Sequence, residues 1–177
     1  MNQAMKWATM AAIFALGACA ASPSAIAPLP APGTPAPLAE TITISVGPCF
    51  GFCPIYEARI TPEGTVYFDG KRHTTVLGKR ERRIGAASYR HVAKALGPFR
   101  PATGTTARVD CEVAISDTSS FTISWTDGEG QTTTAEHRRG CHGGPGEALD
   151  KVLDEIPSEL GIDKWAKQIT RPGEPRG

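Results

Sequence analysis

Thr41-Ile42-Thr43-Ile44-Ser45-Val46-Gly47-Pro48-Cys49-Phe50-Gly51-Phe52-Cys53-Pro54-Ile55-Tyr56 holds the logic of the fold in one stretch. Its first six residues alternate hydroxylic and apolar side chains, which predicts a strand with one face turned to a core. Gly47-Pro48 ends that strand, because proline has no N–H to give to a ladder. The ten residues from Gly47 to Tyr56 then carry two thiols, two glycines, two prolines and three aromatics. Beyond them Tyr56, Ala58 and Ile60 alternate against Glu57 and Arg59, so the chain returns as a second strand.

Downstream, Thr61-Pro62-Glu63-Gly64 places proline and glycine at turn spacing, and Thr65-Val66-Tyr67-Phe68 predicts a third strand. Asp69-Gly70 is a hairpin signal, which puts a fourth strand from His73 to Leu77 against the third. Between Ile84 and Phe99 the period changes: Tyr89, Val92, Ala93 and Leu96 form one helical stripe, stopped by Gly97-Pro98. Arg100 to Val109 has no period and is expected to be loop. Phe121, Ile123 and Trp125 alternate before a turn at Asp127-Gly128-Glu129-Gly130, and Thr132 to Arg138 is a polar partner strand near an edge. Ala148, Leu149, Val152, Leu153 and Ile156 mark a second helix, after which Trp165 docks on the core. The order ββββαββα predicts an α+β fold, an antiparallel sheet of about six strands with two helices on one face.

The chain opens with a basic start ending at Lys6, a short apolar run from Trp7 to Leu16, and Leu16-Gly17-Ala18-Cys19. These are the parts of a secretory signal. The run is shorter than the roughly 20 residues that span a bilayer. The last four residues resemble a bacterial lipobox, which implies lipidation of Cys19, palmitate included, after removal of 1–18. An ordinary signal peptide cut near Ala18-Cys19-Ala20 is the alternative. Ala20 rather than Asp follows Cys19, so the resemblance to Gram-negative lipoproteins implies the outer membrane, with the domain facing the periplasm. Residues 19–39 become a lipidated, Pro- and Ala-rich tether, extended at about 3.1 Å per residue. Residues 40–168 form a single globular domain and 169–177 a flexible tail. Without 1–18 the chain loses Lys6 and no acid, leaving 18 basic against 18 acidic side chains. That balance gives no electrostatic case for nucleic acid.

With Cys19 assigned to lipid, Cys49, Cys53, Cys111 and Cys141 are an even set that permits three pairings in an oxidising compartment. Cys111 and Cys141 lie 17 and 13 residues from Gly128, both at the open end of the expected hairpin, which favours their pairing. Cys49 is then left to Cys53, with Gly51 allowing the tight turn. Crossed pairing of each loop cysteine with one of the distant two stays open.

Cys49-x-x-x-Cys53-Pro54 resembles the copper-binding loop of Sco-type copper chaperones, where two thiolates and a distant histidine hold the metal. The resemblance implies Cu(I) at Cys49 and Cys53 with His137 or His142 as third ligand. In that family the motif opens a helix, whereas Ile55 to Thr61 here alternates as a strand. A wider resemblance covers most of Thr41 to Trp165. The Gly47 to Tyr56 run and Gly64-Thr65-Val66-Tyr67-Phe68-Asp69-Gly70 are similar to the motifs of a bacterial secreted and lipoprotein family known only as a domain of unknown function. It implies a shared fold and export, and no activity.

Lys71-Arg72-His73 and Lys79-Arg80-Glu81-Arg82-Arg83 put six positive charges and one negative into thirteen residues. Arg72, Lys79, Arg80, Arg82 and Arg83 are candidates for docking an anionic surface; the alternative is a solvated face offset by acids such as Asp69, Asp150 and Asp154. Arg138 to Gly146 is glycine-rich and precedes a helix, but matches no phosphate-loop pattern. No G-x-S-x-G, H-E-x-x-H, S-x-x-K or C-x-x-C-H is present. Asp110, Asp117, His137 and His142 flank the second cysteine pair and are the candidates for a hydrolase. The expected function is a non-catalytic, membrane-anchored lipoprotein acting as a binding or envelope-associated module, with no cofactor. Its partners are the membrane, through the lipid, and an envelope protein or anionic surface. The rival expectation is a copper-binding or thiol-redox protein using Cys49 and Cys53.

Overall fold

A computed structural model of the protein describes residues 40–169. The segments read as signal peptide, lipidated Cys19 and tether, all within 1–39, lie outside the described residues, as does 170–177 of the expected tail.

Four strands come first: β1 (Thr41–Val46), β2 (Ile55–Ile60), β3 (Thr65–Arg72) and β4 (Gly78–Arg83). Helix α1 (Ala86–Leu96) follows, then a 3-10 turn at Gly97–Phe99. β5 (Thr106–Arg108), β6 (Val113–Ala114), β7 (Ser120–Thr126), β8 (Thr132–Arg138) and β9 (Cys141–His142) lead to α2 (Gly144–Glu159) and the short α3 (Asp163–Ala166). The main sheet is seven-stranded in the order β4-β3-β2-β1-β7-β8-β5, and β6 pairs with β9 apart from it.

β1 sits at the centre, with antiparallel partners on both sides. Its alternation therefore sets the register of the whole core. Val66, Ile60, Ile42, Trp125 and Thr133 form one row across the sheet; Phe68, Ala58, Ile44, Ile123 and Ala135 form the next. Gly70, Tyr56, Val46, Phe121 and His137 form the third. These residues are buried against Val92 and Leu96 of α1 and Leu149, Leu153 and Ile156 of α2. Burying such apolar surface stabilises by roughly 25 cal/mol per Å². The other face carries Thr43, Ser45, Thr122, Ser124 and Thr134, polar as the alternation requires.

The α+β class, the mainly antiparallel sheet and the disulfide staples agree with the expectation. Three local readings are corrected. Asp69-Gly70 does not turn the chain: both lie inside β3, opposite Glu57 and Tyr56. A Cβ on Gly70 would crowd Thr74 Oγ1 at 2.7 Å, so this glycine admits a neighbouring loop rather than a hairpin. The fourth strand accordingly lies at Gly78–Arg83 and not at His73 to Leu77. Residues 73–77 instead pair with the C-terminal segment, where the Thr75 N–H donates to the Lys167 carbonyl at 2.9 Å and Thr74 bridges Gln168. The stretch read as loop contains β5, which runs parallel to β8 and extends the sheet past its expected edge.

Candidate functional site

Both disulfides lie at the end of the sheet where β1 finishes. Cys49 pairs with Cys53 at a Cα separation of 5.8 Å, and Cys111 with Cys141 at 5.6 Å. The first closes a small loop whose backbone is tied down twice: the Gly47 N–H donates to the Ser120 carbonyl and the Phe50 N–H to that of Asp117. Gly51, at φ 148, supplies the turn between the two sulfurs. The second fastens the segment entering β6 to β9, directly ahead of α2.

Both thiols of the Cys49 loop are bonded to each other, and the His137 imidazole, one of the two expected third copper ligands, bonds Asp150. The histidine that the fold does bring to this loop is His73, whose ring meets Phe52 edge-on at 5.3 Å. Among the described residues no group of three or more His, Cys, Asp or Glu is placed to share a metal ion.

His137 is buried, and its Nε2 lies 2.8 Å from Asp150 Oδ1. With a carboxylate opposite, Nε2 must carry the proton. The second oxygen, Oδ2, accepts the N–H groups of Gly140 and Cys141 at 2.9 and 2.8 Å. One α2 side chain thus clasps the end of β8 and the start of β9. Asp150, read from sequence as one of the acids offsetting the basic run, is the partner of His137. Asp110 and Asp117, expected to converge there, contribute main-chain carbonyls to Gly146 and Phe50 instead. A clasp of this kind holds the fold together; its imidazole Nδ1 has no hydrogen-bond partner among the described residues.

The basic candidates do not form one patch. In β4, Arg80 and Arg82 stand opposite Phe68 and Val66 on the helix side, whereas Lys79 and Arg83 stand opposite Asp69 and Thr65 on the other. Arg82 donates to the Gly161 carbonyl and lies over the Trp165 ring. Arg72 ends β3, exposed, beyond a register shift. Every residue of β4 is exposed, as expected of a charged edge strand that blocks sheet-to-sheet pairing.

A feature that alternation alone would not reveal is a half-open pocket of ≈ 250 Å³ where the third row of the sheet meets α2. Val46 and Phe121 form its floor, Leu153 and Pro157 its helix wall, and Ala166 and Lys167 its far rim. Tyr56 and Ser119, each 8% exposed, line it too, together with the charged Arg139, Asp154, Asp163 and Lys167. Burial pushes the Tyr56 hydroxyl up to about 12, although the nearby Arg139 charge pulls it down, so it stays a neutral donor. Arg139 pairs with Asp154 across the mouth. The lone sequence signal for this pocket was Tyr56 itself, whose alternation marked it as core while its hydroxyl demanded a partner.

No curated protein matches the chain. A family model described as Domain of unknown function (DUF6438) matches residues 40–159. That span runs from the start of β1 to the end of α2, and so includes both disulfides, the His137–Asp150 clasp, and Tyr56, Ser119 and Arg139 of the pocket. The chain belongs to the DUF6438 family of domains of unknown function.

Proposed function

We propose that the protein is an exported lipoprotein, held to the periplasmic side of the outer membrane by lipid on Cys19, whose disulfide-stapled domain is a non-catalytic binding module. The observation that carries this reading is that all four cysteines of the described residues are used in two bridges. Such bridges persist in oxidising compartments and are rare where glutathione keeps thiols reduced. A sequence with Leu16-Gly17-Ala18-Cys19 ahead of a proline-rich stretch supplies the matching route of export and attachment. With its thiols spent and its one buried histidine tied to Asp150, the domain offers shape and polar groups to a partner rather than a nucleophile. That partner is an envelope protein or an anionic envelope surface, the latter met by Arg72, Lys79 and Arg83 on exposed strands.

The test is metabolic labelling with palmitate followed by membrane fractionation of the full chain and of Cys19→Ser. Label on the wild type in the outer-membrane fraction, with an unlabelled and soluble variant, is the expected result. An unlabelled wild type, or a Cys19→Ser chain still sedimenting with membranes, would overturn the anchoring.

A further inference from the structure

Strand β4 ends the main sheet with its outer side unpaired. The phase of its ladder shows which groups that side presents. The Ile84 N–H donates to the Gly64 carbonyl at 2.8 Å, and on the far side of β3 the Thr61 N–H donates to the Thr65 carbonyl at 3.0 Å. Bonded and unbonded pairs alternate along an antiparallel ladder. Arg82, Arg80 and Gly78 therefore give their N–H and C=O groups to β3, whereas Arg83, Glu81 and Lys79 turn theirs outward. Among these outward groups the Lys79 carbonyl is met by Nη1 of Arg80, a side chain of the strand itself, at 2.8 Å. An edge of this kind is a template for a further strand.

Charge selects that strand. β4 reads Gly-Lys-Arg-Glu-Arg-Arg and is exposed throughout. Among the described residues none of Lys79, Arg80, Arg82 and Arg83 is in a salt bridge. Of the acids nearby, Asp69 is paired with Lys71, and Glu63, in the turn before β3, lies within reach of the Arg83 charge alone. Arg82 donates to the Gly161 carbonyl, a neutral acceptor that leaves its charge unmatched. A second copy of this chain is refused: β4 against itself in the symmetric antiparallel register sets Lys79 opposite Arg83, Arg80 opposite Arg82 and Glu81 opposite Glu81. A flat anionic surface fits no better, because Arg80 and Arg82 stand on the helix side of the sheet and Lys79 and Arg83 on the other. A plane meets one pair at a time; an extended segment, whose side chains alternate between the two faces, meets both.

We propose that β4 is a docking edge for an extended acidic segment of a partner protein, which adds to the sheet antiparallel to β4. Its carboxylates pair with Lys79 and Arg83 on one face and with Arg80 and Arg82 on the other, while its main chain bonds Lys79, Glu81 and Arg83. The proposal rests on the binding-module reading and chooses the protein among its partners.

Fluorescence anisotropy of labelled Val-Glu-Glu-Lys-Glu-Glu-Val, titrated with the full chain in neutral detergent micelles, tests it. This peptide complements β4, its lysine facing Glu81, and is expected to bind saturably below about 1 mM. N-methylation of its second, fourth and sixth residues keeps every charge and removes the N–H groups that face β4; binding is expected to weaken at least about tenfold. Lys79→Glu and Arg80→Glu, on opposite faces, are each expected to weaken it about threefold or more at an unchanged melting temperature. The comparison of the two peptides is made on the unaltered protein, so it decides even where a variant folds poorly. An N-methylated peptide equal to its parent, sensitivity confined to one face, or no binding below about 1 mM overturns the proposal. So does binding to phosphatidylglycerol vesicles with none to the peptide, which assigns the cations to lipid. Failure of the wider reading would appear separately, as loss of palmitate label, and would leave these titrations untouched.

Discussion

Asp150 receives three donors at once: the His137 imidazole on Oδ1, 2.8 Å away, and the Gly140 and Cys141 N–H groups on Oδ2. The carboxylate is 15% exposed and the imidazole 1%. Removing the acceptor strands a buried imidazole and two main-chain donors, each costing about 1–3 kcal/mol if left without water. Asp150→Ala is therefore expected to lose roughly 3 kcal/mol in urea unfolding, and Asp150→Asn less. A loss below about 1 kcal/mol would show that the clasp is incidental.

The two disulfides differ in the length of chain they close. Cys111 and Cys141 are 30 residues apart, Cys49 and Cys53 only 4. Chain entropy assigns about 3.5 kcal/mol to the first and about 2 kcal/mol to the second. Cys111→Ser and Cys141→Ser should thus destabilise equally, the double variant no more than either, and Cys49→Ser by less. Additive losses at 111 and 141 would contradict the pairing.

Gly64 and Gly78 both have positive φ, 81 and 75, but only one is crowded. A Cβ at Gly64 would run into the Gly85 backbone, whose N–H donates to the Gly64 carbonyl; at Gly78 it meets open space. Gly64→Ala is expected to cost about 3 kcal/mol, strain and overlap together, and Gly78→Ala about 1 kcal/mol from strain alone. Equal effects in thermal unfolding would mean the turn rearranges freely.

Tyr56 makes stability fall at high pH. Its hydroxyl ionises near 10.0 when unfolded and about 12 when folded, so the fold favours the neutral form. The contribution is complete below pH 10 and disappears as pH rises through about 12. Its size is on the order of 2–3 kcal/mol. Wild type should lose that much more than Tyr56→Phe across this interval. Parallel decline of the two proteins would place the hydroxyl in water.

Elements with a buried face could be read from sequence, and those without one could not. Ile42, Ile44 and Val46 announce β1, and Phe121, Ile123 and Trp125 announce β7, because one side of each strand excludes water. β4 and β5 are exposed along their whole length, so no alternation marks them. Gly70 misled because a glycine that makes room for Thr74 looks the same in sequence as one that turns the chain. The cysteine pairing followed from hairpin geometry. The pocket did not, because Tyr56, Ser119 and Arg139 reach it from three separate segments, which only the assembled register brings together.

The central position of β1 also sets how the domain bears load. Glu40 at its leading end is gripped by Arg100 through both carboxylate oxygens, at 2.7 and 3.2 Å, and its carbonyl accepts the Tyr89 hydroxyl at 2.6 Å. The pocket opens at its trailing end, beside Val46. Tension applied at Glu40 and resisted at the pocket pulls along β1, in shear against β2 and β7 together, so both ladders must fail at once rather than unzip bond by bond. Rupture under such a pull is governed by the unfolding rate and not by equilibrium stability. A pull that enters at Glu40 therefore loads the middle of the sheet and not its edge.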